Sequence, residues 1–369
     1  MTPFDESYGS RGKCCDQSLR DEGLTSFRDE DAKFLGNFLG MNKQMNFRLI
    51  KPQSVVGALF GCLLCSVVSA QAVYPNRPVT LVVPFPPGGF TDNVGRFVAQ
   101  GLSTMWNSPV IVENKGGAGG NLGAAYAVKQ PADGYTIFLA NTATNVVNPL
   151  VYKKLEFDPD KDFEPVILVV KTSNLITVSN SLTARTLAEL VALSKSKVGG
   201  ITYGFPGNGT TGHFTGALFN KAAGIGMVPV PYKGTTQVQA DLIGGTLDVA
   251  VDNITTWAPL AQTGRVRAVA VTGAVRSALL PDVPTVQESG YAGFEATSFA
   301  GIASIAGTPL AIIQKLNADI ALVIKSPEFG KRFSGGEAGG GSPEDFKRHI
   351  AAERQKWGEV AKTISLNND

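Results

Sequence analysis

The sequence predicts an α/β fold in which two doubly wound lobes are joined by a hinge of two chain crossings. Three observations carry that prediction. Short apolar runs of strand length, rich in β-branched residues, recur along the chain. Several are followed by a Gly-rich turn and then by apolar residues at helical spacing, and alternating strand and helix implies parallel sheets covered on both faces. The 369 residues, 43% hydrophobic and 17% charged, suffice for about two such domains.

Residues 79–84 (VTLVVP) read as a strand buried on both faces, ending in the tight turn 84–89. A helix is expected from about Thr91, with Val94, Phe97, Val98 and Leu102 on one face. Residues 110–112 and 136–140 are the next strands, and between them 116–123 turns the chain into a helix near 121–129. A second set opens with a strand at 175–178. The capping box Thr186-x-x-Glu189 then starts a helix carrying Leu187, Leu190 and Leu193. Residues 201–205 are a further strand, and 228–231, 248–251 and 268–272 are further strands expected to be buried, with one helix after the turn 207–213 and another near 236–243. Thr308 as cap and Pro309 at the first helical position predict a helix burying Ile312, Ile313, Leu316, Ile320 and Val323. Ser342-Pro343-Glu344-Asp345 repeats that start signal before Phe346, Ile350 and Trp357. These last helices lack strands for a third sheet and are expected to return to the first lobe. Lobe 1 is thus 73–172 with 297–369, and lobe 2 is 173–296, with crossings near 171–174 and 294–298.

The N-terminal segment reads differently. Arg48 and Lys51 precede an apolar stretch at 55–68 and the small-x-small pair Ala70-x-Ala72. This is the pattern of a Sec signal peptide over 45–72, cleaved after Ala72 to leave a periplasmic chain. Residues 1–44 are polar and unpatterned. They are expected to be a non-native or disordered extension, with translation starting at Met45 or Met41.

Composition excludes several functions. The formal net charge is +2, and no basic cluster is present to grip nucleic acid. All four cysteines lie before residue 66, so no disulfide framework, cysteine zinc site or thiol nucleophile belongs to the main body. The histidines are His213 and His349 alone, which excludes a multi-histidine metal site. The 116–123 run lacks dinucleotide and P-loop spacing, and no G-x-S-x-G elbow occurs. His213 has no nucleophile or carboxylate near it in sequence, so no catalytic residue is assigned and no cofactor or metal is expected.

Three turns at carboxyl ends of predicted strands are the candidate ligand-binding elements, because open α/β sheets bind ligands there. The first supplies Phe85, Gly88, Gly89, Phe90, Thr91 and Asp92; the second Asn141, Thr142 and Thr144; the third Gly207, Asn208, Gly209, Thr210, Thr211 and His213. Asp252, ending a later strand, joins them. Helix N-termini offer N–H groups and partial positive charge, which suits an anion without Arg or Lys. Thr91, Asn208 and Thr210 have the alternative of capping their own helices. Asp92 either answers the dipole of its helix or accepts an ammonium, hydroxyl or water of the ligand. Three or four hydrogen bonds to a charged group, at about 1.5–3 kcal/mol each, reach micromolar binding after ordering costs.

Eight motifs recur in an order that resembles one family. They are Tyr74-Pro75-x-Arg77-Pro78, Pro87-Gly88-Gly89-x-x-Asp92, Val112-Glu113-Asn114 with Gly116-x-x-Gly119-Gly120, and Asp133-Gly134-Tyr135-Thr136. Gly207-x-Gly209-Thr210 with His213, Pro231-Tyr232-Lys233-Gly234, Leu280-Pro281-Asp282-Val283-Pro284-Thr285 and Gly307-Thr308-Pro309 follow. Residues 74–365 resemble the Bug (TctC-like) substrate-binding receptors of tripartite tricarboxylate transporters. The resemblance implies a type II periplasmic binding protein-like fold holding a carboxylate through loop backbone groups and ordered water. The ligand would be a dicarboxylate, tricarboxylate, amino acid or aromatic acid. It also implies small and large membrane subunits, TctB-like and TctA-like, as partners of a monomeric receptor. Phe90 stands at a position that varies in the family, where it stacks on a planar ligand or shrinks the pocket. Two other readings are an extracytoplasmic sensor docking on a signalling receptor and a small-acid lyase or hydrolase; the latter needs an acid–base pair that the sequence does not offer.

Overall fold

The computed structural model describes residues 74–362. The N-terminal extension, the signal peptide, its cleavage point and all four cysteines lie outside the described residues.

Strand β1 (Val79–Val83) pairs in parallel with β2 (Val110–Asn114) on one side and β3 (Thr136–Asn141) on the other. Both faces of β1 and β3 are covered, as their continuous apolar runs predict, whereas the edge strand β2 leaves Ile111 exposed. Leu81, Val83, Ile137 and Leu139 pack with Val94, Val98 and Leu102 of helix α1 (Phe90–Trp106). The alternate residues Val82, Phe138 and Ala140 pack on the opposite face with Ala124 and Ala127 of α2 (Asn121–Ala127). A short helix α3 (Asn148–Val151) follows β3.

Strand β4 (Phe163–Val178) joins two half-sheets. Its residues 163–173 run antiparallel to β9 (Thr297–Ile305), and its other edge there takes β10 (Gly336–Gly340). From Asn174 onward it pairs instead with β7 (Val249–Asn253) and β8 (Arg267–Val271). Strand β5 (Thr202–Phe205) lies parallel between β7 and β6 (Val228–Pro231). The return passage is tied at the same level: Ala296 N–H donates to Thr272 O at 2.9 Å, and Thr297 faces Ser173. The second half-sheet carries α4 (Leu187–Ser196), α5 (Thr211–Ala223), α6 (Thr235–Gly244) and α7 (Ile254–Gln262).

The last helices, α8 (Leu310–Ile324), α9 (Pro327–Arg332) and α10 (Pro343–Ala361), return to the first half. Ile313, Leu316 and Ile320 of α8 share a core with β1 and α1. Ser342 caps α10 through a capping box with Asp345, and Phe346, Ile350 and Trp357 are buried as expected.

Four expectations change, the first being that β6, expected to be buried, is largely exposed because it pairs on one side only, with β5. The half-sheets are mixed: β3 and β4 both run antiparallel to β9, and β4 runs antiparallel to β7 and β8. Thr308 does not cap α8. Its hydroxyl donates to Ile305 O at 2.7 Å, and Pro309 is the N-cap, outside the first helical turn. Ile312 is only partly buried. Among the described residues no helix is long and apolar enough to cross a membrane, and no three His, Cys, Asp or Glu side chains cluster as a metal site.

Candidate ligand-binding cleft

The turns that leave β1 and β5 face a common cleft of about 520 Å³, counting space open to solvent. From the first half come Phe85, Pro86, Gly89, Phe90, Thr91, Asn141, Thr142 and Ala143, with Ser298 and Phe299 from β9. Across from them are Pro206, Thr210, Thr211, Gly234, Thr235, Asp252 and Asn253. The cleft lining contains no Lys, Arg or His; its one ionisable side chain is Asp252.

What this lining offers instead is helix starts. Gly89 is the N-cap of α1, Thr210 of α5, Gly234 of α6 and Asn253 of α7. In α1, α5 and α6 no side chain caps the first turn. Thr210 stands at a cap position, but its hydroxyl donates to Gly207 O at 2.7 Å. The first N–H groups of three helices, from both halves, thus reach the cleft without a side-chain partner of their own. Four positive dipole ends at one cavity favour negative charge.

The sequence-predicted residues divide into those that line the cleft and those that hold the lining in place. Phe85, Gly89, Phe90, Thr91, Asn141, Thr142, Thr210, Thr211 and Asp252 line it. Phe90 does so from the core, being 8% exposed. Gly88 and Asp92 do not. One Asp92 carboxylate oxygen accepts from Gly88 N–H and Arg96 Nε, both at 2.9 Å, and the other from Asn114 Nδ2 at 2.8 Å. Asn114 also donates to Phe85 O at 2.9 Å. Burial works against charge on Asp92, yet Arg96, the Gly88 N–H and Asn114 outweigh it and hold the carboxyl below the usual carboxylate range. Asp92 therefore braces the 85–89 turn, and its oxygens are taken within the protein.

Thr144 is fully buried, with its hydroxyl donating to Asn145 Oδ1 at 2.8 Å, and lies outside the lining. Asn141 Oδ1 accepts from the N–H groups of Ala143 and Thr144, which shapes the start of that turn. Thr142 Oγ1 accepts Phe299 N–H at 2.9 Å and so ties β9 to the cleft. Gly207 and Asn208 face an adjoining chamber lined also by Gly119, Tyr152, Tyr232 and Lys233; Phe85 and Pro206 line both spaces. Gly209 and His213 line neither. The His213 ring stacks on Phe205 at 4.4 Å, and its Nδ1 accepts Gly209 N–H at 3.4 Å. Burial pushes its pKa down to about 4, so it is neutral at physiological pH.

Sequence reasoning missed Thr235, Asn253, Ser298 and Phe299. Gly234 and Thr235 carry the same Gly-then-helix signal as the other turns, directly after Pro231-Tyr232-Lys233. The β9 residues have no local signal; pairing with β3 brings them in.

The two sides touch. Thr236 hydroxyl donates to Pro87 O at 3.3 Å, and Tyr152 hydroxyl to Asn208 O at 3.4 Å. Gly119 and Gly209 let the backbones meet. A Cβ on Gly119 would run into Asn208 O, and one on Gly209 into Asn148 Oδ1. Both glycines have positive φ, +63° and +80°.

A family model described as "Tripartite tricarboxylate transporter family receptor" (TctC) matches residues 94–366. An R. palustris protein determined with adipate is 38% identical with a TM-score of 0.77, covering 79% of this chain and 98% of that one. The periplasmic binding protein BugD is 34% identical with a TM-score of 0.75, over 79% of this chain and 98% of its own. MatC from Rhodopseudomonas palustris with bound malate is 28% identical, TM-score 0.73, over 78% and 100%. The family match and the shared periplasmic binding protein architecture show that the chain belongs to the TctC (Bug) family of substrate-binding receptors, which are not enzymes.

Proposed function

We propose that the protein captures a small carboxylate between two lobes in the periplasm and presents it to the TctA-like and TctB-like membrane subunits of a tripartite transporter. The observation that carries this reading is the convergence of helix N-termini from both half-sheets on a cleft without basic side chains. The guest bridges the 85–91 and 210–211 segments, and contacts available only when both walls engage it favour the closed arrangement. The adipate and malate bound to the two relatives support a dicarboxylate as the first class to test.

In this reading, lobe 1 is 73–172 with 297–369, lobe 2 is 173–296, and β4 and the 296–297 passage are the crossings. The change of β4 partner at Ser173 and Asn174 supports that division. Export follows Sec-dependent cleavage after Ala72, and the mature receptor is a monomer.

A thermal-shift screen of adipate, malate, amino-dicarboxylates and aromatic acids against their amides tests the proposal. A ligand at 100 times its Kd adds about 2.7 kcal/mol of stability. Acids are expected to stabilise and their amides not. Equal stabilisation by amides overturns the reading.

A further inference from the structure

Asp252 is an unusual wall for an anion site. It is 6% exposed, and it lies in a cleft without a cation. Its Oδ2 accepts from the Thr235 hydroxyl at 2.7 Å and from the Trp257 indole N–H at 3.1 Å; its Oδ1 accepts Asn253 N–H at 2.8 Å. The indole and the backbone N–H can only donate. Two donors fill the lone pairs of a carbonyl-type Oδ2. Oδ1, with one donor, keeps room for a hydrogen; Asp92 receives the same number of donors, but one of them is the Arg96 guanidinium, whereas every donor to Asp252 is neutral. Among the described residues no acceptor takes that hydrogen, and the residue lines the cleft. A proton placed on Oδ2 would go to Thr235, whose own hydroxyl hydrogen is then released beside the same cleft.

Resting on the reading of the cleft as a carboxylate site, we propose that Asp252 meets the ligand as a neutral carboxylic acid and donates a hydrogen bond to the ligand carboxylate. Asp252 would then be the specificity-determining donor side chain of a site otherwise built from backbone, hydroxyls and amides. An ionised Asp252 would repel the guest, and two carboxylates sharing a dry site retain a proton between them.

The surroundings favour the neutral form. The β4 residues opposite carry no charge, nor does α7. Asp241 of α6 is engaged by the Tyr232 hydroxyl at 2.8 Å. On α5, His213 is neutral and stacked on Phe205, and Lys221 sits in the last turn, away from the cleft end. Burial pushes the Asp252 carboxyl up, while Thr235, Trp257 and Asn253 pull in the other direction without overcoming it.

The test has two readouts. Infrared spectra of the ligand-free protein at pH 7 should contain a protonated-carboxyl carbonyl band that Asp252→Asn removes. A spectrum with only ionised carboxylate signal at Asp252 overturns the proposal whether or not any acid binds. With adipate and malate as probes, wild-type affinity should weaken about tenfold per pH unit once Asp252 ionises, whereas Asp252→Asn, which always carries a donor, should show no such slope. Matching slopes overturn the proposal too. Because the variant loses the acceptor for Asn253 N–H, its unfolding curve is measured alongside. If neither acid binds while acid amides do, the carboxylate reading of the cleft falls, and the infrared band separately reports the proton on Asp252.

Discussion

The two walls of the cleft aim helix N-termini at one cavity, but they are held by opposite means. The turn after β1 is fixed by charge: Asp92 gathers Gly88 N–H, Arg96 and Asn114, and Asn114 reaches Phe85 O. The turn after β5 is fixed by burial of a neutral ring: His213 lies flat on Phe205 and accepts Gly209 N–H. The same geometry therefore responds differently to acid. His213 has a folded-state pKa of about 4 against 6.5 unfolded, so the unfolded chain binds the extra proton first. Its contribution is complete above pH 6.5 and drains away as the pH falls toward 4. Asp92, held below its ordinary 3.8, keeps its contribution through that whole window and loses it only under stronger acid.

The comparison is broken most severely where the walls meet. Gly119→Ala drives a methyl into Asn208 O at a residue with φ +63°, so adipate or malate affinity should drop at least tenfold, roughly 1.4 kcal/mol or more, by calorimetry. Unchanged affinity would mean that wall contact plays no part in the grip. Asp92→Ala leaves the Gly88 N–H and the Asn114 amide without their acceptor and should cost about 3 kcal/mol in urea unfolding. It should weaken all acids by a common factor. A change in their rank order would instead put Asp92 in contact with the ligand.

His213→Gln sharpens the contrast in pH. At pH 7 it should be mildly destabilising, but the wild-type decline between pH 6.5 and 4 should shrink by about 1–2 kcal/mol at pH 5. An unaltered acid limb would assign that decline to other groups. The smallest effect belongs to Arg96→Ala. Its side chain is 52% exposed, so the loss should stay within about 1 kcal/mol and fade in high salt.

Most strand–turn–helix units were legible because each is encoded locally. An apolar run, a glycine and a capped amphipathic stretch need no knowledge of the rest of the chain, and 79–106 and 186–196 formed accordingly. Strand direction was not legible. Residues 163–173 and 297–305 are strands because they pair with each other, and nothing in either segment states that the pairing is antiparallel. Strand β10 (GEAGG) has no apolar pattern at all. It exists because β4 offers an edge, and its glycines fit where a Cβ on Gly336 or Gly339 would strike the β4 carbonyls. In the cleft, the turns were readable from their sequence, but the division of labour within them was not. Asp92 and His213 stand in the motifs beside Thr91 and Thr210, yet they support the backbone that their neighbours present. Which of two adjacent polar residues faces inward is decided by partners as distant as Asn114 and Phe205.

Strand β4 carries a consequence for how such receptors diversify. Its bonding to β9 ends at Ser173 and its bonding to β7 begins at Asn174, with no slack between them. An inserted or deleted residue there would slip one ladder by a single step and turn its inward side chains outward unless a bulge took it up, as irregularities do elsewhere in β4. Lengthening the connection therefore disturbs the pairing on one side of it. New guests are met with less disturbance by point replacements in the lining, where Phe90, Thr235 and Ser298 can be exchanged one at a time while the frame is inherited intact.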